Sequence, residues 1–207
     1  MSPMTEPTAV ALVCTLKKSP APSSSDLIAR QVLDELATHG VEGTTLRVVD
    51  FDIAPGVEAE AGPGDQWPTI RTAILNADIL LVSTPTWLGH MSSVTQRVLE
   101  RLDAELSNTD DAGRPVLTDK VATVAVVGNE DGAHKICADL FQALDDLGFS
   151  IPAQGCTYWN DQAMGSTDYR DLDEPPEAVA AATATLARNA AHLARLLADQ
   201  GYPGEKE

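Results

Sequence analysis

Basic residues are scarce. Fourteen Lys and Arg stand against 31 Asp and Glu in 207 residues, a net charge of -17. A nucleic-acid groove or an anionic membrane needs a concentrated positive surface, so neither is expected as a partner. Cysteine is sparse too. Cys14, Cys137 and Cys156 are far apart and form no Cys-x-x-Cys pair, so they read as small buried thiols in a reducing compartment. No apolar run reaches the roughly 20 residues of a membrane span. The Ala-rich stretch Ala178–Ala198 comes nearest, but Arg188, His192 and Arg195 interrupt it. Met1 to Thr8 lacks the basic start and apolar centre of a secretory signal. A cytoplasmic protein is expected.

Several catalytic signatures are missing as well. No Gly-x-Gly-x-x-Gly follows the first apolar run, and there is no Gly-x-Ser-x-Gly elbow. Gly128-x-x-x-Gly132-x-x-Lys135 has the wrong spacing for a P-loop, and its acids oppose phosphate. The four histidines, His39, His90, His134 and His192, make no metal-ligand spacing. A phosphatase of the Cys-x5-Arg kind would need arginine where Pro20 follows Cys14. A phospho-receiver would need an aspartate where Ser83-Thr84-Pro85 stands.

What is present alternates strand and helix. Short apolar or β-branched runs are expected as strands at Ala9–Cys14, Thr44–Val49, Ile79–Ser83, Val121–Val127 and somewhere within Ile151–Thr157. Helical spacing predicts helices at Ser24–His39, Pro68–Asn76, from Ser92 through Leu106, from Gly132 through Leu147, and along Val179, Ala182, Leu186, Ala190, Leu193 and Leu197. Asp52–Gln66, Asn108–Thr118 and Asn160–Pro176 read as loops. This pattern predicts one domain over residues 1–207. Its expected class is α/β, a three-layer sandwich whose five-stranded parallel sheet, in the flavodoxin-like order 2-1-3-4-5, carries helices on both faces. Such sheets bind ligands beyond the C-terminal strand ends, where strand order reverses.

Three loops are expected to meet there. The first, Cys14 to Asp26, carries Lys17, Lys18 and the run Ser23-Ser24-Ser25 before a helix start. The unpaired first N–H groups and the helix dipole suit a phosphate. The second, Thr84 to Ser93, places Trp87 as a wall for a flat ring, between Pro85 and Gly89. The third, Gly128-Asn-Glu-Asp-Gly132, lets a ligand approach the backbone closely, and its acids favour an uncharged ring over phosphate.

From Val10 to Tyr158 the chain resembles the flavodoxin-like NAD(P)H-dependent FMN reductase family. Thr84-Pro-Thr-Trp-Leu-Gly89 is similar to the family's Pro-x-Tyr/Trp-x-Gly segment, and Gly128-Asn-Glu-Asp-Gly-Ala-His134 to its glycine loop. The first loop departs from the family's Gly-Ser-x-Arg: Cys14 replaces the glycine, Lys17 stands for the arginine, and extra prolines lengthen it. The resemblance implies FMN as cofactor and NAD(P)H as co-substrate. Thr15, Lys17, Ser23, Ser24 and Ser25 would hold the phosphate. Pro85, Thr86, Trp87, Leu88 and Gly89 would line the isoalloxazine, with Gly128, Asn129 and Gly132 on its other edge. It also implies hydride transfer through flavin N5 to a quinone, flavin or other small acceptor, and a homodimer. Backbone N–H groups of Gly128–Gly132 or Trp87–Gly89 would stabilise negative charge on the ring. His90, Tyr158 and Trp159 stand as further candidates at the rim. An electron carrier of the same fold without NAD(P)H turnover, and a fold without flavin, remain the alternatives.

Overall fold

Strands and helices alternate through the computed structural model, which describes residues 6–204. The part of the Met1–Thr8 reading that falls on residues 1–5 lies outside the described residues. The chain runs β1 (Thr8–Val13), α1 (Ser24–Thr38), β2 (Glu42–Arg47), α2 (Trp67–Asn76), β3 (Ile79–Trp87) and β4 (His90–Met91). It continues through α3 (Ser93–Leu102), β5 (Val121–Gly128), α4 (Ala133–Asp146), β6 (Cys156–Asn160) and α5 (Glu177–Asp199). The parallel sheet has the order β2-β1-β3-β5-β6, and β4 pairs only with β3. Leaving β4 aside, this is the expected 2-1-3-4-5.

Period-two side-chain alternation builds the two cores. In β1, Val10 and Leu12 join Trp67 and Ile70 of α2, Val98 of α3 and Ile136 and Leu140 of α4 on one face. Ala9, Ala11 and Val13 join Ile28 and Val32 of α1 and Leu186 and Ala190 of α5 on the other. The α5 stripe is centred differently from the apolar pattern. Thr183, Ala187, Ala191 and Ala194 are buried, while Ala182 and Leu193 are half-buried. Small side chains let α5 lie close to its neighbours.

Four element boundaries differ from expectation, each for a local reason. β2 ends at Arg47, because Val48–Asp50 tightens into a 3-10 turn. β3 runs on to Trp87, past Pro85, because the Leu88-Gly89 turn folds the chain back into β4. Both turn residues have positive φ, 51° and 71°, as a two-residue hairpin of matching twist requires. α3 stops at Leu102, and Leu106 lies in a following 3-10 turn, half exposed. The last parallel strand begins only at Cys156.

The long 52–66 connection is a loop, as expected, but it is pinned. Arg101 is fully buried. Its Nη2 donates to Asp65 Oδ2 at 2.7 Å and its Nη1 to Asp65 Oδ1 at 3.1 Å and Ala54 O at 2.8 Å, while Nε donates to Glu58 O at 3.0 Å. The guanidinium also lies 5.6 Å from the centre of the Trp67 ring. Arg101 holds the Asp65 carboxyl far below the usual carboxylate range, helped by the N–H groups of Ala61, Trp67 and Ala54.

Among the described residues, no helix is long and apolar enough to cross a membrane.

Candidate functional site

The chain leaves β1 toward β2 on one side of the sheet and β3 on the other, so the loops after β1 and β3 diverge around a gap. A cleft opens there. Its walls are Thr15, Leu16, Lys17 and Pro22–Ser25 from the first loop, Pro85–Trp87 from β3 and Val127–Glu130 from the end of β5. Trp159 and the segment Asp168-Tyr169-Arg170 close its remaining side.

Buried hydroxyls fix the floor. Ser92 caps α3 by accepting from Thr95 N at 3.2 Å, and its Oγ donates to Cys14 O at 2.6 Å. Ser92 N donates to Thr84 Oγ1 at 3.1 Å, and Thr95 Oγ1 to the same atom at 2.8 Å. Ser83 Oγ donates to Ser25 O at 2.7 Å, drawing the first turn of α1 against the end of β3. Burial pushes the Cys14 thiol up to about 12, so it stays protonated and is no nucleophile.

The first loop is held from two sides. Below it, Arg47 Nη1 donates to Ala21 O at 2.7 Å and Lys17 O at 3.4 Å, and Nη2 lies 3.5 Å from Asp26. Above it, Arg170 Nη1 donates to Pro22 O at 3.0 Å. Ser23 Oγ accepts from Asp26 N at 3.4 Å as the helix cap, and Ser24 Oγ accepts from Arg170 N at 3.4 Å. Thr15 Oγ1 accepts from Lys17 N at 3.4 Å.

The opposite end is aromatic and sparing of side chains. Trp87 is 54% exposed at the cleft wall. Thr86 is buried, yet its Oγ1 has no hydrogen-bond partner among the described residues. A buried hydroxyl left unsatisfied is costly, and Thr86 Oγ1 is inaccessible, close beside Gly128 of β5. A Cβ on Gly128 would come within 2.9 Å of Thr86 Cβ, so only glycine lets β5 end so close to β3.

The structure brings Thr15, Lys17, Ser23, Ser24, Ser25, Pro85, Thr86, Trp87, Gly128 and Asn129 around one cleft. Leu88, Gly89 and Gly132 are not among the residues that line it. Leu88 is 90% exposed at the hairpin tip, and its N–H donates to Glu130 Oε1 at 3.0 Å. That amide is therefore engaged with a carboxylate. Gly132, at φ 129°, abuts Gly89: a Cβ there would sit 2.7 Å from Gly89 Cα. These two glycines let the second and third loops touch. Trp159 lines the cleft, whereas Tyr158 faces the other way, its hydroxyl 2.7 Å from His134 Nε2. His90 Nδ1 lies 3.3 Å from Lys135 Nζ. Arg47, Asp168, Tyr169 and Arg170 were not legible: the last three sit in a polar connection with no periodicity, and Arg47 ends an ordinary strand.

The family described as NADPH-dependent FMN reductase matches residues 7–163. A Streptomyces davaonensis protein, 8-demethyl-8-aminoriboflavin-5'-phosphate synthase, is 28% identical over 209 aligned residues, covering 96% of this chain and 81% of that protein. A crystal structure of RosB with the bound intermediate 8-demethyl-8-formylriboflavin-5'-phosphate superposes with a TM-score of 0.84 at 27% identity, over 94% of this chain and 81% of that one. A Mycobacterium bovis protein named as the divalent metal cation transporter MntH is 37% identical over 161 residues, covering 76% of this chain. The match spans only 24% of that protein, so its name describes a whole of which this chain resembles about a quarter. A flavodoxin from Streptococcus pneumoniae, at TM-score 0.53 and 18% identity over 89% of this chain and 97% of that one, shares the fold. The chain belongs to the NADPH-dependent FMN reductase family, with FMN as cofactor and NAD(P)H as co-substrate.

Proposed function

We propose that the protein is an FMN-dependent oxidoreductase that oxidises NAD(P)H and reduces a quinone, a free flavin or another small acceptor, with FMN held in the cleft described above. When bound, FMN supplies the hydride-accepting and hydride-donating centre, N5. The observation that carries the reading is the two-ended polarity of the cleft. A loop bearing Lys17 and three serines occupies one end, and the half-exposed Trp87 occupies the other.

The chain's own residues bind and orient. Lys17 and the N-terminal turn of α1 attract the phosphate, and Ser23, Ser24, Ser25 and Thr15 line its seat. Trp87, Pro85, Thr86, Gly128 and Asn129 shape the slot for the ring. The backbone beyond Gly128 is left to meet negative charge on the ring's polar edge, because Glu130 occupies the Leu88 N–H. The half-exposed Trp87 leaves one side of the slot open to solvent, as an enzyme with two successive small substrates requires. The reading extends to a single domain, to a homodimer and to the cytoplasm, which the free cysteines favour.

Steady-state NAD(P)H consumption by the purified protein, with a quinone and no second protein, tests it. Turnover is expected. Turnover only after a separate reductase is added would make this protein an electron carrier instead. A second reading rests on the similarity to the Streptomyces davaonensis synthase along 96% of the chain. Here the mononucleotide is a substrate altered on its ring. The mass of the flavin recovered after turnover decides: unchanged FMN supports the reductase.

A further inference from the structure

The 168–171 segment sits beyond the family match, which ends at residue 163, yet it reaches into the cleft. We propose that Arg170 is a phosphate-binding residue, held at rest by Asp168 and handed to the ligand's phosphate on binding. The proposal rests on the reading that the cleft takes a flavin mononucleotide, and deepens it.

The geometry is specific. Arg170 and Asp168 both line the cleft, and the Arg170 N–H donates to Ser24 Oγ at 3.4 Å. Arg170 Nη2 lies 3.0 Å from Asp168 Oδ2, and Nε lies 3.7 Å from Asp171 Oδ1. The Arg170 side chain is 29% exposed and the Asp168 side chain 44%, so this pair is open to solvent and to an anion. A solvent-exposed ion pair is worth little. A phosphate monoester brings more negative charge and three acceptor oxygens that suit a guanidinium fork. The exchange of Asp168 for phosphate is therefore favourable at little cost.

The loop is already arranged for this. Arg170 and Arg47 engage the carbonyls of Pro22, Ala21 and Lys17, and Ser19 N donates to Asp50 Oδ1 at 2.8 Å. Carbonyl oxygens that would repel a phosphate are thereby tied to guanidinium groups. The Asp26 carboxylate, in the first turn of α1, is paired with Arg30 at 2.9 Å and Arg47 at 3.5 Å, which offsets its repulsion. Arg170, like Lys17, lines the cleft, and it also holds the first loop through Pro22 O.

The test compares FMN with riboflavin, which has the same ring and no phosphate. Flavin fluorescence titrations of the apoprotein read both affinities. Arg170→Gln is expected to weaken FMN about tenfold to a hundredfold, the range for a charge-assisted hydrogen bond, and to leave riboflavin unchanged. Asp168→Asn is expected to tighten FMN several-fold, again sparing riboflavin. Equal weakening of both flavins by Arg170→Gln, or no weakening of FMN, overturns the proposal. Inorganic phosphate supplies an arm independent of flavin. It is expected to raise the melting temperature of the wild type more than that of Arg170→Gln. If neither flavin binds the wild type, the flavin reading fails. The phosphate difference then decides the role of Arg170 alone: its presence upholds an anion site there, and its absence overturns one.

Discussion

Two arginine–aspartate pairs, with the same chemistry, do opposite jobs in this chain. Arg101–Asp65 is sealed: both side chains are essentially inaccessible, and Nε, Nη1 and Nη2 all donate to chain atoms. Arg170–Asp168 is open, with 29% and 44% of the side chains exposed at the edge of a cleft. The first pair is saturated and pins the 52–66 loop to α3, so it has nothing left to offer a ligand. The second keeps donor capacity and can trade its partner. Saturation and access, and not charge, separate scaffold from site here.

The largest effect should fall on the sealed pair. Asp65→Ala strands a buried guanidinium, which typically costs about 3–5 kcal/mol. Denaturant midpoints should register that loss, while the folded variant keeps its FMN affinity. A change in affinity comparable to that of Arg170→Gln would break the contrast. Acid should act through the same residue. The Asp65 carboxyl is held below its unfolded value of about 3.9, so its stabilisation is present above that pH and is lost as pH falls below it. Urea midpoints at pH 6 and pH 3 should therefore differ more in the wild type than in Asp65→Asn.

Smaller effects sharpen the picture at the cleft. Trp87→Ala should weaken FMN by roughly threefold to tenfold, the worth of one aromatic stacking contact, and shift the bound flavin's spectrum. An unchanged spectrum removes Trp87 from the ring site. Thr86→Val is expected to raise apoprotein stability by about 1 kcal/mol, because it removes an unpartnered buried hydroxyl. A destabilised apoprotein would show that Thr86 Oγ1 has a partner after all. Least of all, Leu88→Asn should stabilise by up to about 1 kcal/mol, because asparagine tolerates the left-handed φ of 51° better than leucine does. Thermal melting reads it.

The sheet was legible because its signals are local. Apolar runs such as Ile79–Val82 and Val121–Val127 name their own strands, and alternation forces the order of the layers. The part of the loop after β3 that lines the cleft, Pro85 to Trp87, was legible because a tryptophan beside a proline at a strand's C-terminal end stands out from its neighbours. The β3 extension and the β4 hairpin were hidden by Pro85, which argues against a strand interior, and by Leu88, which leaves the left-handed region unannounced. Arg170 was hidden more deeply. It lies in a polar connection more than a hundred residues from the serines it meets, and no spacing rule links the two. Arg47 ended an unremarkable strand, and only the fold carries it beneath the first loop. Contacts made by loop against loop leave no periodic trace, so the part of the cleft wall built by Asp168, Tyr169 and Arg170 needed coordinates.

The central claim is that the cleft binds FMN and that the protein itself reduces it with NAD(P)H. Anaerobic addition of NADPH, and separately of NADH, to the FMN-reconstituted protein, followed at the blue absorbance band of bound flavin, tests both halves together. The expected result is saturable FMN binding, followed by bleaching with at least one nicotinamide and no other protein present. A preparation that stays colourless in excess FMN, or bound flavin that stays oxidised with both nicotinamides, contradicts it.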